Sequence, residues 1–204
     1  MPLLLALFGM AMLMGLGLSL VYMGSAETTL ARRDYDARSL ARAAHGAATL
    51  AVADLRALPS WVAVLQPGSP PELSAVPGRL APATLAPALP WGGALDLRAV
   101  TARIQAASDG DAVPAAWRLY GAASLVSVVP DAVRGSPCFL AVWVADDQAD
   151  GDGDPSADNN GVILVRGAAF GPGEGEAFVT LAVSRQPVPD GPDLVQILAI
   201  RPGA

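Results

Sequence analysis

Residues 1–26 read MPLLLALFGMAMLMGLGLSLVYMGSA and contain no charged side chain. A helix that crosses a bilayer core of about 30 Å needs roughly 20 predominantly apolar residues. This stretch is long enough to meet that requirement. The sequence therefore predicts a helix over 1–26 that is suited to a membrane or to the interior of an assembly.

The following stretch, residues 27–57, reads ETTLARRDYDARSLARAAHGAATLAVADLRA and is predicted to continue the same helix. It contains no proline and a single glycine, Gly46, and it is rich in the strong helix formers Ala, Leu and Arg. Apolar residues recur at the three-to-four spacing of one helical stripe: Leu30, Ala37, Ala41, Ala44, Ala48, Ala51 and Leu55. We predict one continuous helix that ends before Pro59 and is roughly 80 Å long. A globular domain of this size needs such a helix only if the front half is buried in lipid or in other subunits.

The composition limits the class of protein. At 204 residues the chain suits one anchored domain of about 150 residues beyond the helix. Its net charge is −6, and its 13 basic residues are all arginine, so no basic patch for nucleic acid is expected. Cys138 is the only cysteine, which excludes an intrachain disulfide, and its apolar neighbours favour a buried structural thiol. His45 is also alone and is a poor candidate for metal binding or catalysis.

The rest of the chain predicts an ordered connection and an antiparallel sheet. Eight prolines between positions 59 and 90 exclude a long element there, whereas apolar residues such as Trp61, Leu65 and Leu80 favour packing on the helix. Asp96 is placed to cap a short helix over 96–107. The predicted strands are Ala116–Val129 with an interruption at Gly121, Phe139–Ala145, Gly161–Gly167, Ala177–Val183 and Leu194–Ile200.

Short loops between these strands favour antiparallel hairpins laid on the amphipathic half of the helix. The fold class is therefore α+β, with a long N-terminal helix packed on an antiparallel sheet. The predicted organisation is a membrane or filament-core half at 1–26, an amphipathic half at 27–57, a proline-rich ordered connection at 58–95 and a globular head at 96–204.

These features resemble type IV pilin-like proteins, in particular minor pilins of the PilX family, with the type II secretion K pseudopilin as a cousin. The resemblance is carried by the uncharged run, by Glu27–Arg38 with its acidic residue and Arg/Asp-rich turn, by the alanines of 41–48, and by an Asp-rich loop at 146–160 before a strand. It implies a pilin-like fold. It also implies that the protein is a non-enzymatic structural subunit of a type IV pilus or a related secretion filament. The implied partners are the membrane and other pilin-like subunits, bound through the N-terminal helix, with no nucleic acid and no small-molecule substrate.

The resemblance also implies a location. Such subunits are single-pass proteins of the bacterial inner membrane, with the head outside the cytoplasm. From there they are assembled into an extracellular or periplasmic filament. Arg32 and Arg33 after the apolar run favour the opposite orientation, which the family resolves with a basic leader that a peptidase removes. We therefore expect either that Met1 is the mature N-terminus or that the orientation is reversed. Gly24-Ser25-Ala26 is a weak candidate for signal-peptide cleavage.

The fifth residue is informative within the same resemblance. Major pilins carry a glutamate at the fifth mature position, which is thought to neutralise the N-terminal amine of a neighbouring subunit. This chain has Leu5 there. If Met1 is the mature N-terminus, the subunit lacks that contact, as the K pseudopilin does, and a minor or tip-located role is implied. Gly15 and Gly17 permit either local helix melting during assembly or close helix packing.

An acidic loop carries the one chemical signal of the head. Six aspartates lie within thirteen positions: Asp146, Asp147, Asp150, Asp152, Asp154 and Asp158. Ca²⁺ prefers six to eight oxygen ligands, so Asp150, Asp152, Asp154 and Asp158 are candidate ligands. The EF-hand pattern is not met, because Pro155 replaces its glycine and Gly161 its closing glutamate. The alternative is a solvated acidic hairpin tip.

The sequence lacks the common catalytic motifs: it has no Gly-x-Ser-x-Gly, no phosphate loop with lysine and no His/Cys pair. We therefore expect a protein that is not an enzyme. Two other hypotheses stay open. One is a single-pass envelope protein whose β domain binds a ligand or partner without polymerising. The other is a membrane-anchored hydrolase that uses the Asp cluster.

Overall fold

The computed structural model describes residues 2–66, 80, 84–109, 115–129, 137–147, 154–189, 191 and 193–203. The chain divides into two compact units, Met1–Arg38 and Ser39–Ala204. The helices are α1 (Pro2–Ala57), α2 (Val62–Leu65), α3 (Leu97–Ser108) and α4 (Leu125–Val128), with a 3₁₀ turn at Pro172–Glu174. The strands are β1 (Arg118–Ser124), β2 (Phe139–Asp146), β3 (Val162–Phe170), β4 (Glu176–Gln186) and β5 (Leu194–Pro202).

The continuous helix predicted from the sequence is confirmed. Helix α1 runs for 56 residues and ends at Ala57, two residues before Pro59. The last turn of a helix leaves carbonyl oxygens without intrahelical donors. Here the Leu55 carbonyl accepts from the Trp61 indole N–H at 3.0 Å and from the Leu58 amide at 3.2 Å. The buried Trp61 ring therefore supplies a hydrogen-bond donor to the C-terminal end of α1 and lies at the start of the connection that follows the helix.

The strands within the described residues form one sheet in the order β1-β2-β3-β4-β5, and every neighbouring pair is antiparallel. This confirms the predicted antiparallel sheet. The irregularity expected at Gly121 is present as a register shift between Leu119 and Gly121. The prediction of strand through Val129 is wrong, because Leu125–Val128 forms a helical turn. The Ser124 hydroxyl accepts from the Ser127 amide at 3.3 Å, and this cap favours the turn over a continued strand.

One face of the sheet packs on the second half of α1. Side chains on β2 alternate, so that Leu140, Val142 and Val144 join the core cluster on the α1 side. The α1 residues Ala44, Ala47, Ala48 and Ala51 are fully buried in the same cluster. The alanine stripe of residues 44–51 therefore lies under the sheet, as the helical spacing predicted.

Gly167, in the middle of β3, allows the helix to approach this closely. A Cβ atom built on Gly167 would lie 2.8 Å from the Ala48 amide nitrogen and 2.9 Å from the Ala48 Cβ. Both distances are below normal van der Waals contact, and one involves the helix backbone. Glycine in a strand often marks such an approach. Because Gly167 has no side chain and the facing α1 residues are alanines, the helix and the sheet come into direct contact.

The opposite face of the sheet carries a second helical layer that the sequence analysis did not place. The Asp96 carboxylate caps α3 by accepting from the Arg98 and Ala99 amides, each at 3.0 Å, as predicted. The apolar face of α3 is buried against large side chains of β2 and β3: Leu97, Val100 and Ile104 pack with Phe139, Trp143 and Phe170. Within the described residues, α1 therefore packs on one face of the sheet and α3 on the other.

The connection of residues 58–95 contributes to both cores where it is described. Trp61, Val64, Leu65 and Leu80 are buried in the cluster that contains the α1 alanines. Leu89, Trp91 and Leu95 are half-buried against the α3 cluster. Residues 67–79 and 81–83, which include most of the prolines, lie outside the described residues.

Candidate functional site

The first candidate functional element is the front half of α1. Its large apolar side chains are exposed: Leu7 is 66 % exposed, Leu13 71 % and Leu20 71 %. Among the side chains that the structure describes, large apolar residues are similarly exposed all around the helix from Leu3 to Met23. Within the described part of the chain, α1 is the one helix whose length and composition allow it to cross a membrane.

The end of the apolar run is marked by hydroxyl side chains that bond to their own helix. The Thr28 hydroxyl donates to the Gly24 carbonyl at 2.6 Å, and the Thr29 hydroxyl donates to the Ser25 carbonyl at 2.9 Å. Such bonds satisfy a hydroxyl internally, so these residues tolerate an apolar environment. One turn later, Arg38 and Asp34 form an exposed i,i+4 ion pair at 2.8 Å. The helix surface thus changes from uncharged to charged within a few turns.

The second candidate element is the acidic loop between β2 and β3. Of the predicted calcium ligands, Asp154 and Asp158 are described, whereas Asp150 and Asp152 lie outside the described residues. Asp158 Oδ1 accepts from the Gly161 amide at 2.7 Å and from the Val162 amide at 3.1 Å. Asp154 Oδ1 accepts from the Ser156 amide at 2.9 Å and from the Ser156 hydroxyl at 2.6 Å. Both carboxylates therefore accept hydrogen bonds that stabilise turns in the chain.

Arg118 supplies a positive charge to this loop, and the sequence analysis missed it. The hydrogen bonds from Ser156 are the main cause that lowers the pKa of Asp154, and the Arg118 charge lowers it further. Partial burial lowers the pKa of Arg118, and the charge of Asp154 opposes that effect. Arg118 stands opposite Val144 in the β1–β2 pairing. That register brings the base of the loop next to β1, and a correct strand alignment would have been needed to find it.

The two ends of the loop are held together by an amide side chain. Asn160 Nδ2 donates to Asp147 Oδ1 at 2.7 Å, and Asn160 Oδ1 accepts from the Val162 amide at 2.7 Å. Among the residues that the structure describes, no group of three or more His, Cys, Asp or Glu side chains is placed to hold a metal ion. Because half of the candidate ligands lie outside those residues, the calcium site stays a prediction.

Cys138 and His45, the single cysteine and the single histidine of the sequence, are both described. Cys138 is buried next to β2, and burial raises the pKa of its thiol to about 11. A thiol held neutral in this way is a structural side chain rather than a nucleophile. His45 is exposed on α1.

No protein-family model, curated protein or solved structure matches the chain. Function is therefore inferred from its own residues. The described elements that stand out chemically are the exposed apolar half of α1 and the acidic loop. The first exposes a large apolar surface, and the described carboxylates of the second accept hydrogen bonds from nearby backbone amides.

Proposed function

We propose that this chain is a structural subunit of a type IV pilus or a related secretion filament, as a minor pilin or pseudopilin that assembles through α1. One observation carries the proposal. A single helix, Pro2–Ala57, has an uncharged and exposed front half, and its last turns supply the alanine stripe on which the sheet packs. The same element therefore provides a surface that needs an apolar environment and a scaffold for a folded head.

The apolar surface of the front half is energetically unfavourable in water. A contiguous apolar surface of more than a few hundred Å² marks a membrane or protein interface. Full burial of a Leu or Met side chain contributes about 1.5–3 kcal/mol, and the front half exposes many of them. Because the exposure extends all round the helix, one flat partner surface would leave most of it in water. A bilayer, or a bundle of identical helices, would cover every side.

The proposed location is the bacterial inner membrane, with the head outside the cytoplasm, followed by a periplasmic or extracellular filament. Uncharged residues 2–26 are sufficient for a bilayer core of about 30 Å. Arg32 and Arg33 on the head side oppose this orientation under the positive-inside tendency. Protease digestion of intact spheroplasts tests it directly, because the proposal requires the head to be cleaved without lysis.

The decisive experiment follows the chain into filaments. In its own host, the wild-type chain, Leu13→Arg and the matched control Leu13→Ile are each expressed with a tag on the head. The wild type and Leu13→Ile are expected in the carbonate-washed membranes and in surface filaments released by shearing. Leu13→Arg is expected to be lost from both, since a central arginine costs about 2.5–3.5 kcal/mol on insertion scales.

Two outcomes would favour the other hypotheses. A wild-type chain that stays in membranes and never enters a sheared or periplasmic filament fraction would indicate an envelope protein that does not polymerise. Hydrolytic activity of the purified chain that is lost in Asp154→Asn would indicate the anchored hydrolase. A Leu13→Arg chain that remains fully membrane-bound would show that residues 2–26 are not an anchor.

A further inference from the structure

The face of the sheet that carries α3 contains a groove beyond the end of that helix. Its volume is about 510 Å³, within the range of small-ligand sites. It lies over β3, β4 and β5, and its lining includes Trp117, Asp147, Leu164, Arg166, Thr180 and Arg201. Small apolar residues, including Ala182 and Ala199, form its floor.

Three polar residues of this groove form a row across neighbouring strands. The register pairs Arg166 on β3 with Thr180 on β4, and Thr180 with Arg201 on β5. Residues paired in this way lie on the same face, and adjacent strands are about 4.8 Å apart. The two arginine Cα atoms are therefore separated by about 10 Å, with the threonine between them.

Arg166 is half-buried and positioned by two neighbours. Its Nε–H donates to the Thr180 hydroxyl oxygen at 2.9 Å, and its guanidinium carbon lies 5.0 Å from the centre of the Trp117 ring. Neither neighbour carries a negative charge. Burial lowers the pKa of the Arg166 guanidinium, which records the cost of removing this charge from water.

Neither arginine of the row forms an ion pair within the described part of the chain. No described carboxylate lies within salt-bridge distance of Arg166 or Arg201, in contrast to Arg103 with Glu176 and Arg185 with Asp193, which pair at 2.5 Å. Asp147 also lines the groove, where its carboxylate accepts from Asn160. Among the described residues that line the groove, two arginines and one aspartate leave a net charge of about +1 at neutral pH.

We propose that this groove binds a carboxylate-bearing ligand, with the carboxylate held between Arg166 and Arg201. A guanidinium matches the planar carboxylate with two parallel N–H donors, and Arg166 is already oriented by Thr180 and Trp117. A singly charged carboxylate fits better than a doubly charged phosphate, because Asp147 would repel the second negative charge. The ligand is a free organic acid or the acidic side chain of an extended peptide, which share this chemistry.

The test uses the full chain in nanodiscs and calorimetric titration at low ionic strength. The probes are N-acetyl-Ala-Glu-Ala-amide, the same peptide with Gln in place of Glu, and the singly charged acid butyrate. Saturable binding of the Glu peptide is expected, with no binding of the Gln peptide. Butyrate that binds as well as the Glu peptide identifies a free organic acid as sufficient, whereas weaker binding of butyrate identifies the peptide source.

Variants then locate the site. Arg166→Gln and Arg201→Gln should each weaken binding of the Glu peptide at least about tenfold, and Asp147→Asn should strengthen it. Arg98→Gln is the matched control, because it removes the same charge from an exposed position on α3 outside the groove. Arg201 is exposed, so its variant tests the site even if Arg166→Gln fails to fold.

Three results would overturn the proposal. They are the absence of saturable binding of both acids up to about 10 mM, equal affinity for the Glu and Gln peptides, and unchanged affinity in Arg201→Gln. This test does not depend on filament assembly. A failure here leaves the proposed function in place, and the loss of filament entry in Leu13→Arg leaves this groove in place.

Discussion

The front and back halves of α1 belong to one helix but use apolar residues of different size. The front half exposes Leu, Met and Phe side chains on all sides, whereas the back half buries alanines on one stripe. Lipid chains and flexible helix bundles adapt to large side chains. At Gly167, β3 approaches α1 so closely that the helix has room only for the methyl group of alanine. Side-chain size, and not hydrophobicity alone, therefore distinguishes the exposed half of α1 from the stripe that carries the sheet.

The largest expected loss of stability comes from substitutions in the back half of α1. Ala44→Glu or Ala48→Glu should unfold the head, because each variant buries an unpaired charge and overpacks a contact with β3. Ala53→Glu is the matched control, since Ala53 is exposed on the same helix. Thermal unfolding of the full chain in detergent measures the effect. Equal melting temperatures for Ala48→Glu and Ala53→Glu would contradict a sheet packed on that stripe.

A smaller effect is expected from the sheet side of the same contact. Gly167→Ala should destabilise the head by about 1–3 kcal/mol, because the new methyl group meets the α1 backbone, which cannot move aside without shifting the helix. Gly46→Ala makes the same chemical change in an open position of α1. It should stabilise the helix by about 0.5–1 kcal/mol.

Denaturant titration of both glycine variants measures these opposite signs. If Gly167→Ala is neutral, the close approach of α1 to β3 is not required for stability. If Gly46→Ala is destabilising, the helix near that position does not have the open environment that the structure gives it.

The smallest expected effect near neutral pH tests how tightly the core around Cys138 is packed. Burial raises the pKa of Cys138 from an ordinary value of 9.0 to about 11. Between those two values the unfolded chain loses the thiol proton and the folded chain keeps it, so stability falls as pH rises from 9 towards 11. Cys138→Ala should remove this part of the slope. Denaturant titrations at several pH values compare the two chains.

Alkylation provides an independent measurement of the same core. Cys138 should react with iodoacetamide at pH 8 only after denaturation, because the folded thiol is both buried and neutral. Rapid labelling of the folded chain would show that the cluster between α1 and β2 opens readily.

Local features of the sequence were sufficient to predict α1, α3 and the antiparallel strands. The bounds of α1 follow from an uncharged run, an alanine-rich stripe and Pro59, all of which act within a few residues. Asp96 was identified as a cap because capping depends on the next three residues. The turn at Leu125–Val128 was missed, since a short apolar run fits either a strand or a helical turn.

By itself, then, the sequence determined one long helix, its change from uncharged to amphipathic, and the antiparallel strands. Only the tertiary structure decided which distant residues meet. Gly167 against Ala48, the charge of Arg118 near Asp154, and the row of Arg166, Thr180 and Arg201 all depend on strand register and helix placement. A shift of one strand by one residue would turn its side chains, such as those of Arg166, Thr180 or Arg201, to the other face of the sheet. That information lies in the packing of the whole core, which no short stretch of the chain contains.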